Sequence, residues 1–400
     1  MRNHPSGWAH LDLNKPCDMK RKMIITADDY GITPLIDDAI EKAITAGVVT
    51  SIAALPNSME ADDQGGFRRN DYGIERLKRL QDTFGNKVSI GLHFNITDGP
   101  AFYAGPNGET SSLIRGGKGK KSHFFKPIYK QMNIDTEDLK NELRLQIDHF
   151  HQAGIHISHF SDHYGIISTF HDDTLLAMIE VIQEYELKVG RRIPMRNPLL
   201  TSKAFSNDQN DANHNCLAKS KLERDGALGI VARGLFSMGA SLAREFDLDL
   251  KRVAKQVAND LYEFNRKSIR SNLRIMKYEG MLFPDYFVDK YFKTKNPERA
   301  LTCIIDHLPT DRYLIPSELD PQAIVAEVLV HLASEMSLYS KAERKLAKAF
   351  GFRMKYLKKG RKFEFMGLLE NHDLLLNNDQ VELAPYPFEI PRQRDLVLSS

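Results

Sequence analysis

The sequence has few cysteines and almost no excess of charge of either sign. Its three cysteines, Cys17, Cys216 and Cys303, lie far apart and form no C-x-x-C pair. Neither a disulfide framework nor a thiolate zinc site is therefore expected, and a cytoplasmic location is the simplest prediction. The 55 Lys and Arg residues nearly balance the 53 Asp and Glu residues, for a net charge of +2. This balance gives no reason to expect a nucleic-acid partner.

Long apolar runs are absent as well. No stretch approaches the roughly 18 apolar residues of a membrane-spanning helix, so no membrane span is predicted. The first 18 residues include prolines and a tryptophan but lack the apolar centre of a secretory signal. We therefore predict that residues 1–20 form a loose N-terminal extension.

Apolar runs alternate with helical patterns over most of the chain. Residues 23–27 (MIITA) fit a strand that is buried on both faces. Thr33 is a candidate N-cap with Pro34 at the first helical position, and residues 48–52 read as the next strand. Further helices are predicted near 74–82, 136–151 and 174–187, and further strands at 88–94, 155–160, 193–196 and 324–331. This alternation predicts an α/β fold with a parallel, (β/α) barrel-like sheet, which can be distorted.

Two segments interrupt the alternation. Residues 201–226 are rich in Asn, Asp, Ser and Lys, and this composition predicts an exposed loop. Residues 228–300 carry long helical patterns and few strand signals. We predict a single domain over residues 21–391, with a helical insertion at about 228–300 that helps to wall the substrate site.

Polar side chains stand where three of the predicted strands stop. They are Asp28 with Asp29, then His93, then Asp162 with His163. The carboxyl ends of parallel strands meet at one edge, where ligands bind. Two adjacent buried carboxylates are costly unless a cation offsets their repulsion, and two histidines with one carboxylate form a common metal-binding set. On the pattern alone, turn-capping aspartates and hydrogen-bonded core histidines remain an alternative.

Longer motifs surround these residues. They are ITADDYG at 25–31, GLHFNITDGP at 91–100, ELRLQIDHF at 142–150 and SHFSDH at 158–163. In order and spacing they resemble the YdjC-like family of carbohydrate deacetylases, which includes enzymes that deacetylate chitooligosaccharides. The resemblance covers residues 21–200 and, more faintly, 325–386. Residues 201–324 match only weakly, so the chain resembles an enlarged member.

The resemblance implies a fold, a function and a set of site residues. The implied metal ligands are Asp29, His93 and His163. The other implied site residues are Asp28 as catalytic base, Arg196 beside the active site and His331 as a candidate acid. The fold is a (β/α) barrel, and the cofactor is one divalent metal ion, usually Mg²⁺, although the ligands also suit Zn²⁺. The implied reaction removes an acetyl group from an N-acetylated sugar or oligosaccharide. The sequence does not decide whether the protein forms a homodimer.

The chain departs from the family pattern at three places. Tyr164-Gly165 follows His163 where further histidines are common, Leu332 follows His331 where proline is common, and Ser161-Asp162 reverses the usual order. These departures leave the three implied ligands in place. They concern the residues that the resemblance implies for the substrate pocket and for the catalytic acid.

Two other functions stay open. One is a metal-dependent hydrolase of another ester or amide bond, or of a phosphoester. Phosphoester cleavage would favour a second metal and a basic phosphate cradle, but the sequence has no Gly-rich P-loop. The other is a non-catalytic sugar- or metal-binding member of the same fold. The altered motif after His331 favours this alternative, whereas the intact set of Asp28, Asp29, His93 and His163 opposes it.

Overall fold

The computed structural model describes most of the residues that carry the predicted α/β pattern. The described residues are 19–57, 59–61, 67–69, 71–97, 99–106, 111–114, 134–169, 171–198, 271–288, 291, 296–308, 319–333, 360–388 and 390. Nearly all of the predicted N-terminal extension, the polar segment 201–226 and the part of the predicted insertion before residue 271 lie outside them.

The first strand and helix follow the sequence pattern closely. Strand β1 (Lys20–Tyr30) is buried on both faces from Met23 onward. Helix α1 (Pro34–Thr45) begins after Thr33, whose side chain accepts a hydrogen bond from the Ile36 amide. The apolar positions of α1 all pack into the core. The predicted strand and helix are confirmed, with the strand running on through both aspartates rather than stopping before them.

The remaining elements alternate broadly as predicted, but two predicted strands differ: of residues 155–160 only Phe160 is in a strand, and residues 193–196 are extended with an isolated bridge at Met195. The strands are β2 (Ser51–Ala54), β3 (Met59–Ala61), β4 (Phe67–Arg69), β5 (Ser89–Phe94), β6 (Phe160–Asp162), β7 (Tyr286–Val288), β8 (Ala323–Val330) and β9 (Glu382–Leu383). The helices are α2 (Asp71–Phe84), α3 (Thr136–Gln152), α4 (Ile166–Thr169), α5 (Asp172–Val189), α6 (Pro297–His307), α7 (Lys362–Glu370) and α8 (His372–Leu376). Residues 271–278 are also helical, and Gly85–Lys87 and His163–Gly165 form single 3₁₀ turns.

The central sheet is parallel and curls toward closure. Its strand order is β6-β5-β2-β1-β8-β7, with β9 paired to β1, while β3 and β4 form a separate antiparallel pair. The extended segment 193–196 joins the two edges. Met195 bridges to Phe160 at the start of β6, and the Met195 amide donates to the Leu282 carbonyl at 2.8 Å, just before β7. The predicted barrel-like α/β fold is confirmed.

The predicted boundary of the helical insertion is wrong at its C-terminal side. Residues 271–278 are helical, but β7 within the predicted range is a strand of the central sheet, parallel to β8. Asp285, at the entry to β7, accepts a hydrogen bond from the Val325 amide at 2.9 Å. A three-residue strand is too short to show a clear alternation, and its aromatic residues fit a helical pattern equally well.

Cys303 is buried in α6, and the other two cysteines lie outside the described residues. No helix in the described part of the chain is long and apolar enough to cross a membrane.

Candidate metal centre

The two adjacent aspartates reach one site because β1 ends in a bulge. The pairing of β1 with β2 shifts register between Asp28 and Tyr30, and Asp29 has a φ of 72°. In a regular strand consecutive side chains point to opposite faces. The extra residue of a bulge redirects one of them, and aspartate is among the few residue types enriched in the left-handed region. Both carboxylates therefore lie at the carboxyl end of β1.

Asp29, His93 and His163 come together as the sequence predicts. One ligand atom from each lies within 4.8 Å of the other two. His163 Nδ1 is 3.1 Å from Asp29 Oδ1 and 3.4 Å from His93 Nε2, and His93 Nε2 is 3.9 Å from Asp29 Oδ1. All three side chains are buried. They come from β1, β5 and the 3₁₀ turn after β6, which end at the same edge of the sheet, with β2 between β1 and β5.

The protonation states of this cluster suit a cation. Burial, followed by the nearby His163 and Arg196, holds the pKa of His93 well below its usual value, so its imidazole is neutral. Burial alone would raise the pKa of Asp29, but the charge of Arg361 and the contact with His163 hold it well below its usual value. Metal ligands must be in these deprotonated forms.

One buried oxygen of the cluster also lacks a conventional partner. Within the described residues, Asp29 Oδ1 is buried and accepts no hydrogen bond of ordinary geometry. It faces two imidazole nitrogens. A carboxylate oxygen and two imidazole nitrogens converging on one point form a donor set that accepts Mg²⁺ or Zn²⁺. The residues present therefore fit the implied metal, although they do not identify it.

The reversed pair Ser161-Asp162 has a structural explanation. Ser161 is paired with His93 across β5 and β6, and its Oγ lies 2.7 Å from His93 Nδ1. That contact orients the ring so that Nε2 faces the cluster. Asp162 points the other way and accepts hydrogen bonds from the Ile167 and Ser168 amides and from Ser168 Oγ. Asp162 thus caps α4 and stays out of the centre.

Asp28 is held beside the cluster by a buried arginine. Arg196 Nη1 and Nη2 donate to the two oxygens of Asp28, each at 2.8 Å. The same guanidinium donates to Glu327 Oε1 at 3.0 and 2.7 Å. Burial would lower the pKa of Arg196, but these two carboxylates raise it well above its usual value, so the arginine is fully charged. Asp28 Oδ2 lies 3.7 Å from His93 Nε2.

His331 lies on the other side of Asp29. Its Nε2 is 3.7 Å from Asp29 Oδ2, the oxygen to which Arg361 also donates. Burial, together with the charge of Arg361, lowers the pKa of His331 to about 3. The His331 amide donates to Glu364 of α7 at 2.8 Å, so the backbone is held in place although leucine follows it. The structure thus brings all six predicted site residues together.

Three further buried residues complete the site, and the sequence pattern did not identify them. They are Glu327, Arg361 and Tyr386. Glu327 is the one acid within the apolar β8 run, a signal that could have been used. Arg361 and Tyr386 lie in segments without periodicity. Tyr386 donates to Glu327 Oε2 at 2.8 Å, which extends the chain of contacts from Asp28 through Arg196.

The Tyr386 ring is itself fixed by packing. It stacks on the His159 ring, with centroids 4.0 Å apart and planes 10° apart. A Cβ added to Gly91 would lie 2.3 Å from the same His159 ring. Only glycine therefore fits at this position of β5, two residues before His93.

The charges around the cluster do not cancel. Three carboxylates, those of Asp28, Asp29 and Glu327, face two guanidiniums, those of Arg196 and Arg361. A buried excess of negative charge is costly. A bound cation would offset it.

Comparison with known families identifies the same family as the sequence motifs. A family model for YdjC-like protein matches residues 22–366. The chain belongs to the YdjC-like family. That match spans β1 to α7, and so contains the three cluster residues, Asp28, Arg196 and His331; Tyr386 lies beyond it.

Several curated proteins resemble this YdjC-like chain over part of its length. A carbohydrate deacetylase from Vibrio parahaemolyticus is 26% identical over 47% of this chain and 65% of its own. One from Enterococcus faecalis is 27% identical over 36% of this chain and 49% of its own. Carbohydrate deacetylase 1 from Listeria innocua is 30% identical over 36% of this chain and 52% of its own. The matches thus span less than two thirds of each of these relatives.

Among solved structures, this YdjC-like chain resembles a protein from Enterococcus faecalis V583 described as a candidate cellobiose-phosphate cleavage protein. The TM-score is 0.47 at 16% identity, over 92% of this chain and 98% of the other. A likeness of that size does not bear on the chemistry.

Proposed function

We propose that this YdjC-like protein is a metal-dependent hydrolase that removes the acetyl group from an N-acetylated sugar or oligosaccharide. The observation that carries the proposal is the arrangement of Asp28, clamped by Arg196, beside the cluster of Asp29, His93 and His163. The names of its carbohydrate deacetylase relatives support the same reaction.

In this proposal Asp29, His93 and His163 hold one divalent ion, with Mg²⁺ the first candidate and Zn²⁺ the second. Such an ion polarises an amide carbonyl and lowers the pKa of a bound water. The burial of all three side chains excludes bulk water, which strengthens electrostatic interactions inside the site.

Asp28 is the proposed general base. It removes a proton from the attacking water, and the two hydrogen bonds from Arg196 fix the plane of its carboxylate. Because Glu327 shares the same guanidinium, the positive charge is not directed at Asp28 alone. The same guanidinium therefore orients both carboxylates.

His331 is the proposed acid that protonates the departing amine. With a pKa of about 3 its imidazole is neutral at pH 7 in the resting site. It must therefore take up a proton before the amine leaves, and the proton that Asp28 removes from the attacking water balances the one delivered to the amine. The proximity of its Nε2 to the Asp29 carboxylate, 3.7 Å away, favours that protonation.

Acetate release tests the proposal directly. The assay supplies a panel of N-acetylated saccharides to the protein with Mg²⁺, after chelator treatment, and after the metal is returned. We expect acetate from at least one saccharide, loss of release with chelator, and recovery with metal. Saccharide binding without acetate release would instead identify a non-catalytic member. Release that is unaffected by complete metal removal would contradict the role of the cluster.

A further inference from the structure

Tyr164, next to the cluster, combines two unusual features. Its side chain is 57% exposed although most large side chains around the site are buried. Its backbone is left-handed, with a φ of 62°, inside the 3₁₀ turn His163–Gly165. Such a conformation is costly for a bulky residue and is found where a surrounding structure imposes it for a purpose.

The turn that carries Tyr164 is anchored firmly on its C-terminal side. Asp162 caps the start of α4 with three hydrogen bonds, one of them from Ser168 Oγ at 2.7 Å. The Ser168 carbonyl in turn accepts from Asn272 Nδ2 at 2.7 Å. These buried contacts hold the backbone of the left-handed residue in place.

The Tyr164 ring lies against the ring of His163. Their centroids are 4.0 Å apart, with the planes inclined at 43°. His163 Nδ1 faces Asp29, so the tyrosine extends the wall of the cluster outward to solvent. The exposed aromatic surface therefore begins one ring away from the position where a metal would be held.

We propose that Tyr164 is a stacking platform for the pyranose ring of the substrate; this inference rests on the proposed function. An N-acetylated sugar whose carbonyl oxygen reaches the cluster has its ring only three bonds away, through the C=O, C–N and N–C bonds. The ring must then lie beside a residue that borders the cluster. The apolar face of a pyranose packs on an aromatic face, and the tyrosine hydroxyl can bind a sugar hydroxyl at the rim. A neutral saccharide needs no charged partner there.

The test is a binding measurement that does not depend on turnover. The Asp28→Asn protein, loaded with Mg²⁺, is titrated with N-acetylglucosamine and its dimer and trimer, and binding is followed by calorimetry. Tyr164→Phe keeps the ring, whereas Tyr164→Asn removes it and tolerates the left-handed backbone. We expect Kd within about twofold for the first and weaker by about 3- to 10-fold for the second.

A matched control is available at the other end of the barrel. Tyr278 is 89% exposed. It lies two residues before Gly280, whose carbonyl accepts a hydrogen bond from Arg192. Arg192 precedes segment 193–196, so Tyr278 lies at the end of the barrel opposite the cluster. Tyr278→Asn should leave binding unchanged. Tyr164→Gly provides a second variant without the ring, in case the asparagine variant folds poorly.

Each outcome decides the inference. Selective weakening in both variants that lack the ring supports the platform. Equal binding by the Asp28→Asn protein with and without these changes overturns it. So does an Asp28→Asn protein that binds none of the three saccharides. If the platform is supported but the protein with Asp28 intact releases no acetate from any saccharide, the deacetylase proposal fails and the platform stands.

Discussion

The Asp28→Asn variant separates the proposed base from the metal-binding cluster. The substitution preserves the shape of the side chain but removes its negative charge and one hydrogen-bond acceptor. In the parent protein, Arg196 donates to both oxygens of Asp28 at 2.8 Å. With asparagine, one of these charge-assisted bonds is lost. The cluster of Asp29, His93 and His163 keeps all its ligand atoms.

The cost to folding follows from what remains around Arg196. Its contacts to Glu327, at 2.7 and 3.0 Å, are untouched, so the buried guanidinium keeps a counter-ion. We therefore expect a loss of about 1.5–3 kcal/mol in the free energy of unfolding, the value of one hydrogen bond to a charged group. By comparison, a buried ion that loses its only counter-ion costs about 3–5 kcal/mol of stability.

The cost to turnover should be larger. Loss of a general base typically lowers the rate by about 10²–10⁴-fold. The assay measures acetate release at saturating saccharide, the metal content of each preparation and the urea unfolding midpoint. Asp37→Asn is the matched control, because Asp37 is a buried aspartate of α1 that contacts the Gly31 amide and not the cluster. Near-normal turnover in Asp28→Asn with metal bound would refute the base assignment, and loss of metal would make Asp28 a ligand.

Three further predictions concern the surroundings of the site. His331→Ala should lower turnover less than Asp28→Asn, with metal content unchanged; an equal or greater loss at saturating saccharide would make His331 the dominant group. Tyr386→Phe removes the hydroxyl that donates to the buried Glu327, so urea unfolding should show a loss of about 1.5–3 kcal/mol, and unchanged stability would contradict the contact. Burial raises the pKa of Asp37 from 3.8 to about 8, so the folded state retains a proton that the unfolded chain releases, and stability falls as pH rises from about 4 to 8. Asp37→Asn should therefore show a smaller decline in urea midpoint between pH 5 and pH 8 than the parent, whereas parallel declines would refute the raised pKa.

Much of the barrel could be predicted because its signals are local. The apolar run before Asp28, the N-cap Thr33 and the spacing along α1 each report their own structure. The convergence of His93 and His163 with the aspartates then follows from one rule, that parallel strands present their carboxyl ends at the same edge. Those residues are predictable without knowledge of any distant contact.

The rest depends on packing between distant segments. The bulge at Asp29 arises from its pairing with β2 and leaves no mark in composition. Glu327 meets Arg196, and Tyr386 meets Glu327, only after the sheet has curled, and β7 is recognisable as a strand only beside β8. Long-range contacts of this kind place Glu327 and Tyr386 at the site, and they set the boundary of the predicted insertion.

The most direct test of the central claim is metal stoichiometry measured alongside acetate release. Equilibrium dialysis against Mg²⁺ or Zn²⁺ would compare the parent with His93→Ala and His163→Ala. The account predicts one ion per parent chain, a loss of binding in both variants, and acetate release that rises in proportion to occupancy. Full activity in a variant that binds no ion would contradict it, as would one ion retained in both histidine variants.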